Sequence, residues 1–323
     1  MRIGTGLNSR VFRVDLDGAD RSAPERVVVK FYRRDPGDTR DRLSTEFESL
    51  RFLKDHRVLT VPEPIAVARE SECAIYKYID GDVAMSTPIT DHDVDVSVWF
   101  LFQLKQLRDE PEAREIGPAS EACFTLEALA SLIDGRLARL RRAPSAGAGS
   151  AALTEWIDRR LAPMVSDVQR WSRDEARRDG IRFDEPLPPG ARTLSPSDFG
   201  FHNAIRRPDG QLYFLDFEYF GWDDPAKMIA DYLLHPGMAL DDELKRRFAA
   251  GALEAFDDVP SLRARVRVVY PMFGVKWALI LLNDFLPERI AASSSGHLAS
   301  QLAKAQAFIE DVAGRYADNP LLT

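Results

Sequence analysis

The chain has 323 residues, 45% of them hydrophobic, and a formal net charge of −8. That much apolar material is enough for a packed core in two or three structural units, and the acidic balance argues against a nucleic-acid-binding surface. The two cysteines, Cys73 and Cys123, exclude a disulfide framework and are typical of a reducing compartment. With no apolar segment like a signal peptide near residue 1, the sequence predicts a cytoplasmic protein.

Strand patterns dominate the first eighty residues. Short apolar runs bounded by polar turns predict four β-strands, over residues 11–16, 26–32, 65–68 and 74–79. Between the second and third runs, residues 42–56 repeat apolar side chains at the spacing of one helix face. We therefore expect residues 1–79 to form a small lobe with an antiparallel sheet and one helix.

Two features of this lobe suit the binding of phosphates. A glycine-containing segment before the first strand offers backbone amides that can approach anionic oxygens. Its candidate residues are Gly4, Gly6, Asn8 and Ser9. Such a segment is equally typical of a plain turn. The stronger indication is Lys30, which ends the apolar run 27–30, where kinases carry the lysine that pairs with the α- and β-phosphates.

A lysine in that place needs an acidic partner, and the next predicted helix offers one. Glu46 lies one turn before Leu50 on the apolar face, whereas Glu48 points about 200° away around the helix. We therefore predict an ion pair between Lys30 and Glu46. The alternative is an edge-strand lysine in solvent.

From residue 80 onward, helical periodicity prevails. Apolar residues at three- and four-residue spacing predict helices over residues 94–107, 126–140, 153–171, 241–256, 262–285 and 298–316. Pro163 predicts a kink in the third of them. The most apolar stretch, residues 272–285, is too short to span a bilayer and contains Lys276 and Asp284, so we expect no membrane contact. Residues 80–323 should form a larger helical lobe.

One polar hairpin interrupts these helices. Asn203 follows Asp198, and a turn at residues 208–210 separates two short strand patterns ahead of Asp216. Because a hairpin brings its ends together, Asn203 and Asp216 should lie side by side, and amide and carboxylate oxygens suit magnesium. With Asp198 as a base, the three groups meet the demands of kinase-type phosphoryl transfer. The alternative is a hairpin in which they serve only turns and caps.

These motifs resemble those of the aminoglycoside phosphotransferase and choline kinase superfamily, small-molecule kinases with a protein-kinase-like fold. The resemblance runs over residues 4–236 and is most specific over residues 198–231. It implies an α+β fold with two lobes, ATP and Mg²⁺ as cofactors, and a hydroxyl group of a small molecule as the phosphate acceptor. It also implies that Asp231 braces the catalytic loop.

The resemblance assigns roles to single residues of the hairpin. It makes Asp198 the catalytic base, and Asn203 and Asp216 the magnesium ligands. Pro196 departs from the pattern, because the family carries a histidine two positions before its base. His202 lies between the base and the metal-binding amide, where we expect a loop-structuring hydrogen bond and leave a proton shuttle as the alternative.

An acidic and aromatic run follows the second metal ligand. Its candidate substrate-binding residues are Glu218, Tyr219, Trp222 and Asp223. Carboxylates beside aromatic faces suit an amine or quaternary ammonium group, through charge pairing and cation–π contact. The run from Asp216 to Tyr219 is similar to that of the choline kinase branch. Tyr270, Phe273 and Trp277 share one helix face, where core packing is favoured over an aromatic box.

Together these features predict an ATP- and magnesium-dependent phosphotransferase that acts on a small molecule, with an amine-bearing acceptor favoured. The alternatives are a choline- or ethanolamine-type kinase, a sugar or amino-sugar kinase, and a nucleotide-binding pseudokinase. The presence of Lys30, Asp198, Asn203 and Asp216 argues against the pseudokinase. The sequence leaves open the acceptor, the choice between ATP and GTP, and the oligomeric state.

Overall fold

The chain combines antiparallel strands with many helices, which confirms the predicted α+β class. The computed structural model describes residues 1–5, 8–16, 25–34, 38–142, 150–238, 240–290, 293–317, 319 and 321–322. The chain divides into two compact units, Met1–Ala122 with Thr193–Asp223 and Cys123–Arg192 with Asp224–Thr323. Residues 80–122 thus belong to the same compact unit as the N-terminal sheet, and a functional boundary at residue 79 stays a prediction.

A five-stranded antiparallel sheet opens the first unit. Its strands are β1 (Arg2–Thr5), β2 (Ser9–Asp15), β3 (Arg26–Tyr32), β4 (Pro64–Ala68) and β5 (Cys73–Lys77), in the order β1-β2-β3-β5-β4. On the central strand β3, Lys30 pairs with Val11 of β2 and Ala74 of β5. The structure corrects the expected start of the glycine turn, because Gly4 is a residue of β1 and pairs with Val11. A four-residue strand that includes a glycine carries too little alternation to be predicted.

Helix α1 (Arg42–Asp55) matches the predicted range closely. It begins at Asp41, whose side chain accepts a hydrogen bond from the backbone N–H of Ser44 at 2.9 Å, as N-cap residues do. Its buried apolar residues are Leu43, Phe47, Leu50, Phe52 and Leu53. Glu46 lies on the same face and is only 3% exposed, so this helix carries a carboxylate into the interior.

The rest of the first unit contains the polar hairpin, which is formed by β8 and β9. The elements of this part are β6 (Asp82–Val83), α2 (Asp91–Gln106), β7 (Thr193–Ser195), β8 (Ala204–Arg206), β9 (Leu212–Phe214) and β10 (Gly221–Asp223). The strands β6, β8 and β9 form one small sheet, and β7 pairs with β10. Four phenylalanines pack together beneath the hairpin, with ring centroids between 4.7 and 6.2 Å apart: Phe100, Phe199, Phe214 and Phe217. This aromatic cluster fixes the hairpin on α2.

A buried ion pair also ties the hairpin to α2. Asp93 forms a capping box with Thr90 at the start of the helix, and Arg206 of β8 donates to its two carboxylate oxygens at 2.5 and 3.1 Å. Such a bidentate pair fixes orientation as well as distance. Gly81 permits the close approach of the connecting chain, since a Cβ atom there would meet the Ile205 side chain at 2.7 Å.

The second unit is built from helices. They are α3 (Leu126–Arg141), α4 (Ser150–Trp156), α5 (Ala162–Arg178), α6 (Pro225–Leu234), α7 (Asp242–Ala255), α8 (Leu262–Leu281), α9 (Pro287–Ile290) and α10 (Ser295–Arg315). Helix α8 is central and packs against α3, α5, α6 and α10. In place of the predicted kink at Pro163, a wide π-type turn, Ile157–Leu161, joins α4 to α5 just before that proline.

Among the described residues, one helical stretch, Leu262–Phe285, is long and apolar enough to cross a membrane. It contains the apolar residues 272–285, for which the absence of membrane contact stays a prediction. Its most apolar window is 72% buried inside the protein, however, as in the central helix of a packed core. Tyr270 and Phe273 are 2% and 1% exposed, which confirms the predicted core packing.

A buried ion pair at the start of α6 leads to a prediction about stability. Arg265 Nε donates to Asp224 Oδ2 at 2.6 Å, and Asp224 Oδ1 accepts the backbone N–H of Ala226 at 2.8 Å. Because Arg265→Met leaves the buried carboxylate without this cation, we expect the free energy of unfolding to fall by about 3–5 kcal/mol. Chemical denaturation measures the loss. Adding Asp224→Asn should recover part of it, and a loss below about 1 kcal/mol, as for an exposed pair, would contradict this account.

Candidate active site

Lys30 lies at the centre of a cluster of acidic groups in the first unit. Its ammonium nitrogen is 2.6 Å from Glu46 Oε2, 2.6 Å from Asp216 Oδ1 and 3.7 Å from Glu218 Oε2. The sheet positions the lysine through β3, α1 positions Glu46, and the other two carboxylates follow β9. The predicted pairing of Lys30 with Glu46 is confirmed.

Burial and charge act in opposite directions on this cluster. Burial by itself lowers the pKa of Lys30, but the carboxylates of Glu46, Asp216 and Glu218 outweigh it and hold that pKa well above its usual value. Burial also raises the pKa of Glu46, a rise that the Lys30 ammonium opposes. The lysine therefore keeps its positive charge at neutral pH, which is what an anchor for anionic phosphates requires.

A chain of hydroxyl groups supports Glu46. Tyr32 donates to Glu46 Oε2 at 2.7 Å, and the hydroxyl oxygens of Tyr32 and Tyr76 are 2.7 Å apart. Since Tyr32 gives its proton to the carboxylate, Tyr76 is the donor to Tyr32. Burial raises the pKa of both tyrosines, so they stay protonated. These hydrogen bonds between hydroxyl groups were not predicted from the sequence, although alternation along β3 places Lys30 and Tyr32 on one face of the sheet.

Tyr32→Phe tests whether the hydroxyl chain holds Glu46 in place. Losing a hydrogen bond to a charged, buried group should lower the free energy of unfolding by about 1.5–3 kcal/mol. We also expect a higher KM for ATP, because Lys30 loses a fixed partner. Tyr316→Phe is the control, since that ring packs edge-on against Trp171, 5.3 Å away in the second unit. Equal unfolding free energies and equal KM values in the two variants would refute the supporting role.

The loop ahead of Asp198 forms a tight turn. Ser197 has a left-handed backbone with φ of 68°, a conformation that costs roughly 1–3 kcal/mol and often marks functional sites. Its N–H donates to Ser195 Oγ at 3.0 Å and its hydroxyl to the Ser120 carbonyl at 3.2 Å. The Asp198 N–H donates to the Pro196 carbonyl at 2.9 Å. These bonds fix the direction in which the Asp198 side chain leaves the loop.

Asp198 is partly exposed and is bonded to a histidine. Its side chain is 32% exposed, so solvent can reach it. His202 Nε2 lies 3.0 Å from Asp198 Oδ1, and because a carboxylate only accepts, Nε2 must carry a proton. This is a loop-structuring hydrogen bond of the kind the sequence predicted. Since Pro196 replaces the family's histidine, His202 is an imidazole that orients the predicted base in this chain.

The two ends of the hairpin meet as predicted. The Asn203 carbonyl accepts the N–H of Leu215, next to Asp216, at 2.8 Å. Asn203 Nδ2 donates to the Asp198 carbonyl at 3.1 Å, which leaves the amide oxygen as the atom suited to a metal. Asp216 has φ of 68° and a side chain that is 39% exposed. An amide oxygen and a carboxylate fit the oxygen ligands that magnesium prefers.

Glu218 belongs to the Lys30 cluster. It is 4% exposed, and its Oε1 accepts a hydrogen bond from Asn8 Nδ2 at 2.8 Å and lies 3.4 Å from Arg42 Nε. Both carboxylate oxygens face protein cations or donors, and a substrate role for Glu218 stays a prediction. Arg42, at the start of α1, is 7% exposed and is a further residue of the site that the sequence did not indicate.

Tyr219 faces cationic groups of the protein itself. The guanidinium carbons of Arg40 and Arg42 lie 5.3 and 5.9 Å from its ring centre, and Asn8 Nδ2 donates to its hydroxyl at 2.6 Å. Burial and the neighbouring carboxylate of Glu218 raise the pKa of Tyr219 to about 12. A role in binding a cationic acceptor stays a prediction, and these arginines compete for the ring.

The strand β10 accounts for the last two predicted acceptor residues. Asp223 is 0% exposed and pairs with Thr193 in the β7–β10 ladder, and its substrate role stays a prediction. Trp222 is half-buried and donates its indole N–H to the Ala113 carbonyl at 2.9 Å, and its substrate role stays a prediction. A three-residue strand such as β10 gives too short a pattern to be seen in the sequence.

The predicted phosphate-binding segment is described in part. Gly4 lies in β1, Ser9 is the first residue of β2 and is 9% exposed, and Asn8 bonds to Glu218. Gly6 lies outside the described residues. The binding of phosphates by these four residues stays a prediction.

Asp231 lies on α6 in the second unit. It accepts the indole N–H of Trp277 at 3.0 Å and pairs with Lys227 at 3.2 Å. These contacts make it part of the packing between α6 and α8. Its bracing of the catalytic loop stays a prediction.

The sequence matches the phosphotransferase enzyme family over residues 1–268, and the chain belongs to this family. The predicted resemblance is thereby confirmed. A search of curated proteins found no match.

Three solved structures are similar to this chain in fold. A choline kinase from Cryptosporidium parvum is 13% identical, with a TM-score of 0.61 over 100% of this chain and 93% of that one. The spectinomycin phosphotransferase APH(9)-Ia, in complex with ADP and spectinomycin, is 12% identical, with a TM-score of 0.64 over 95% and 92%. The ADP-bound aminoglycoside phosphotransferase APH(2'')-Ib is 16% identical, with a TM-score of 0.59 over 96% and 93%. At these identities the likeness shows the fold alone, which is that of protein-kinase-like small-molecule kinases.

Proposed function

We propose that this chain transfers the γ-phosphate of ATP, with Mg²⁺, to a hydroxyl group of a small, amine-bearing molecule in the cytoplasm. The observation that carries the proposal is the set of contacts among Lys30, Glu46 and Asp216, together with the hairpin that sets Asn203 beside Asp198. All five groups belong to one compact unit. Phosphoryl transfer requires this combination of a fixed cation, oxygen ligands for a metal, and a base.

Each of the chain's own groups has a task in this reaction. The Lys30 ammonium, fixed by Glu46, binds the α- and β-phosphate oxygens and orients the nucleotide. Asp198 accepts the proton of the acceptor hydroxyl as the hydroxyl oxygen bonds to the γ-phosphorus and the bond to the departing ADP oxygen breaks. His202 keeps the Asp198 carboxylate turned toward the acceptor. Asn203 and Asp216 would hold Mg²⁺, which supplies neutralisation of the negative charge on the phosphates.

Several observations support an amine-bearing acceptor. The similar structures include a choline kinase and aminoglycoside phosphotransferases by name, and the chain itself has a net charge of −8. A choline- or ethanolamine-type kinase is the second candidate, favoured by the run from Asp216 to Tyr219. A sugar or amino-sugar kinase and a nucleotide-binding pseudokinase are the remaining alternatives.

The experiment is an assay of ADP release with and without acceptors. Amino alcohols, aminoglycosides and simple sugars form the panel, and each is tested with Mg²⁺ and with a chelator. We expect Mg²⁺-dependent ADP release that at least one amine-bearing compound stimulates. Stimulation by sugars alone would overturn the acceptor class. Binding of ATP without acceptor-dependent release by any compound would favour the pseudokinase.

A further inference from the structure

A second candidate metal site lies in the first unit, on residues that the proposed reaction does not use. His56 Nε2 is 3.8 Å from Glu110 Oε2 and 3.9 Å from Glu112 Oε2, and the three ligand atoms lie within 4.8 Å of one another. The histidine ends α1, and the two glutamates stand in the segment after α2. We propose that these three side chains bind a divalent transition-metal ion, with Zn²⁺ as the representative ion.

The tautomer of His56 supports this proposal. His56 Nδ1 lies 2.8 Å from the Phe52 carbonyl oxygen, and because a carbonyl only accepts, Nδ1 carries a proton. With the proton placed on Nδ1, Nε2 is the ring nitrogen that faces the two carboxylates and is available to a metal. Metal-binding histidines are commonly fixed in this way, with the other ring nitrogen donating to a backbone carbonyl.

The two carboxylates favour a cation at the point where these three atoms converge. Among the described residues, neither Glu110 nor Glu112 pairs with a lysine or arginine side chain. A proton on Nε2 would give hydrogen bonds of about 2.7–3.2 Å, whereas both observed distances are longer and nearly equal. Metal bonds of about 2.0–2.2 Å at tetrahedral angles place ligand atoms roughly 3.3–3.6 Å apart. The observed distances of 3.8 and 3.9 Å are a few tenths of an ångström longer than this spacing, so a small inward movement of the exposed glutamate side chains would bring the three atoms onto one ion.

The three ligands stand on ordered backbone. Glu110 has φ of −65° and ψ of 139°, the extended conformation that the following Pro111 favours. The segment is closed by the hydrogen bond from the Ala113 N–H to the Glu110 carbonyl at 3.1 Å, and Trp222 donates to the Ala113 carbonyl at 2.9 Å. The side chains of His56, Glu110 and Glu112 are 19%, 44% and 66% exposed. Water can therefore complete the coordination, as in zinc sites with three protein ligands.

The choice of metal follows from the ligand types. Imidazole favours zinc, nickel and copper, whereas magnesium and calcium prefer sites made of oxygen ligands alone. The proposed site thus differs in its chemistry from the pair Asn203 and Asp216. A bound ion would join the end of α1, the helix that carries Glu46, to the segment after α2 within one compact unit.

The test is a titration of the full chain with Zn²⁺, followed by the imidazole ¹⁵N signals of its five histidines. We expect one equivalent to shift the signals of a single histidine, identified by their absence in His56→Gln. Glu110→Gln and Glu112→Gln should each weaken binding by at least about tenfold, the loss that even an outer-shell partner can cause. His92→Gln changes an exposed histidine of α2 and is the matched control, which should bind as the unmodified chain does.

Three outcomes would overturn the proposal. The first is the absence of any shift at His56. The second is a shift at His202 alone, which would place the ion at the catalytic loop. The third is unchanged affinity in both Glu110→Gln and Glu112→Gln. Co²⁺ provides a second readout, because its visible absorption reports the ligand set directly. Loss of the Co²⁺ spectrum in Glu110→Gln, with the folded far-UV circular dichroism signal retained, is the expected result.

Discussion

Asp198→Asn is expected to lower kcat by about 10²–10⁴-fold, the usual contribution of a general base, while the affinity for Mg²⁺ and ATP changes little. Asparagine has the same shape but cannot accept the proton of the acceptor hydroxyl. The bond from Asn203 to residue 198 goes to the backbone carbonyl, so the substitution leaves that contact in place. Steady-state kinetics and nucleotide titration separate the two effects.

Asp209→Asn is the matched control for this experiment. Asp209 lies in the turn of the same hairpin, where its carboxylate accepts the N–H of Gln211 at 3.1 Å. Asparagine is equally at home in such turns, so kcat should stay as in the unmodified chain. Activity in Asp198→Asn equal to that of Asp209→Asn would show that Asp198 is not the base.

Lys30→Met is expected to affect both stability and nucleotide binding. The substitution removes the cation that lies 2.6 Å from both Glu46 and Asp216, and Glu46 remains buried. Breaking a buried ion pair in this way should lower the free energy of unfolding by about 3–5 kcal/mol near neutral pH. The affinity for ATP should fall as well, because the phosphates lose their fixed positive partner.

The loss of stability in Lys30→Met should depend on pH, and the pKa shifts give its direction. In the unmodified chain the raised pKa of Lys30 keeps its stabilising charge in place throughout the neutral range. In Lys30→Met, burial raises the pKa of Glu46 with no cation to oppose the rise. A group whose pKa is raised by folding stabilises the protein at low pH and loses that contribution as the pH rises. The stability difference between the two proteins should therefore grow from about pH 4 to pH 8.

Lys54→Met is the matched control. Lys54 lies on α1, the helix that carries Glu46, and pairs with Glu63 at the surface, where both side chains are more than two-fifths exposed. An exposed pair contributes about 0–1 kcal/mol, so this variant should unfold much as the unmodified chain does. If Lys30→Met were no less stable than Lys54→Met at pH 8, the buried ion pairs of Lys30 would not stabilise the fold.

Much of the fold could be predicted because its elements are long or carry strong patterns. Helix α1 and strand β3 have the predicted bounds to within a residue, since apolar spacing and caps mark them in the sequence. The strands β1, β7 and β10 have three or four residues each, and β7 and β10 pair across more than twenty residues. Pairing of that kind depends on tertiary contacts, which local sequence patterns do not contain.

The same distinction between local patterns and tertiary contacts applies to the candidate site. The pair Lys30 and Glu46 was predictable because strand position and helix face each follow from local periodicity. The contacts of Glu218 with Lys30 and Arg42 were not predictable, because these residues are distant from it in sequence. A carboxylate next to aromatic residues is typical of a ligand site, and only the fold shows that protein cations already surround this one.

The most direct test of the central claim is a single-turnover reaction with ATP labelled in its γ-phosphate, in the presence of an amine-bearing acceptor that stimulates ADP release. The account predicts that the label appears as a phosphate ester on an acceptor hydroxyl, in an amount equal to the ADP formed. It also predicts that the transfer requires Mg²⁺ and is lost in Asp198→Asn. Label found only in ATP or in inorganic phosphate, with every acceptor unmodified, would contradict it.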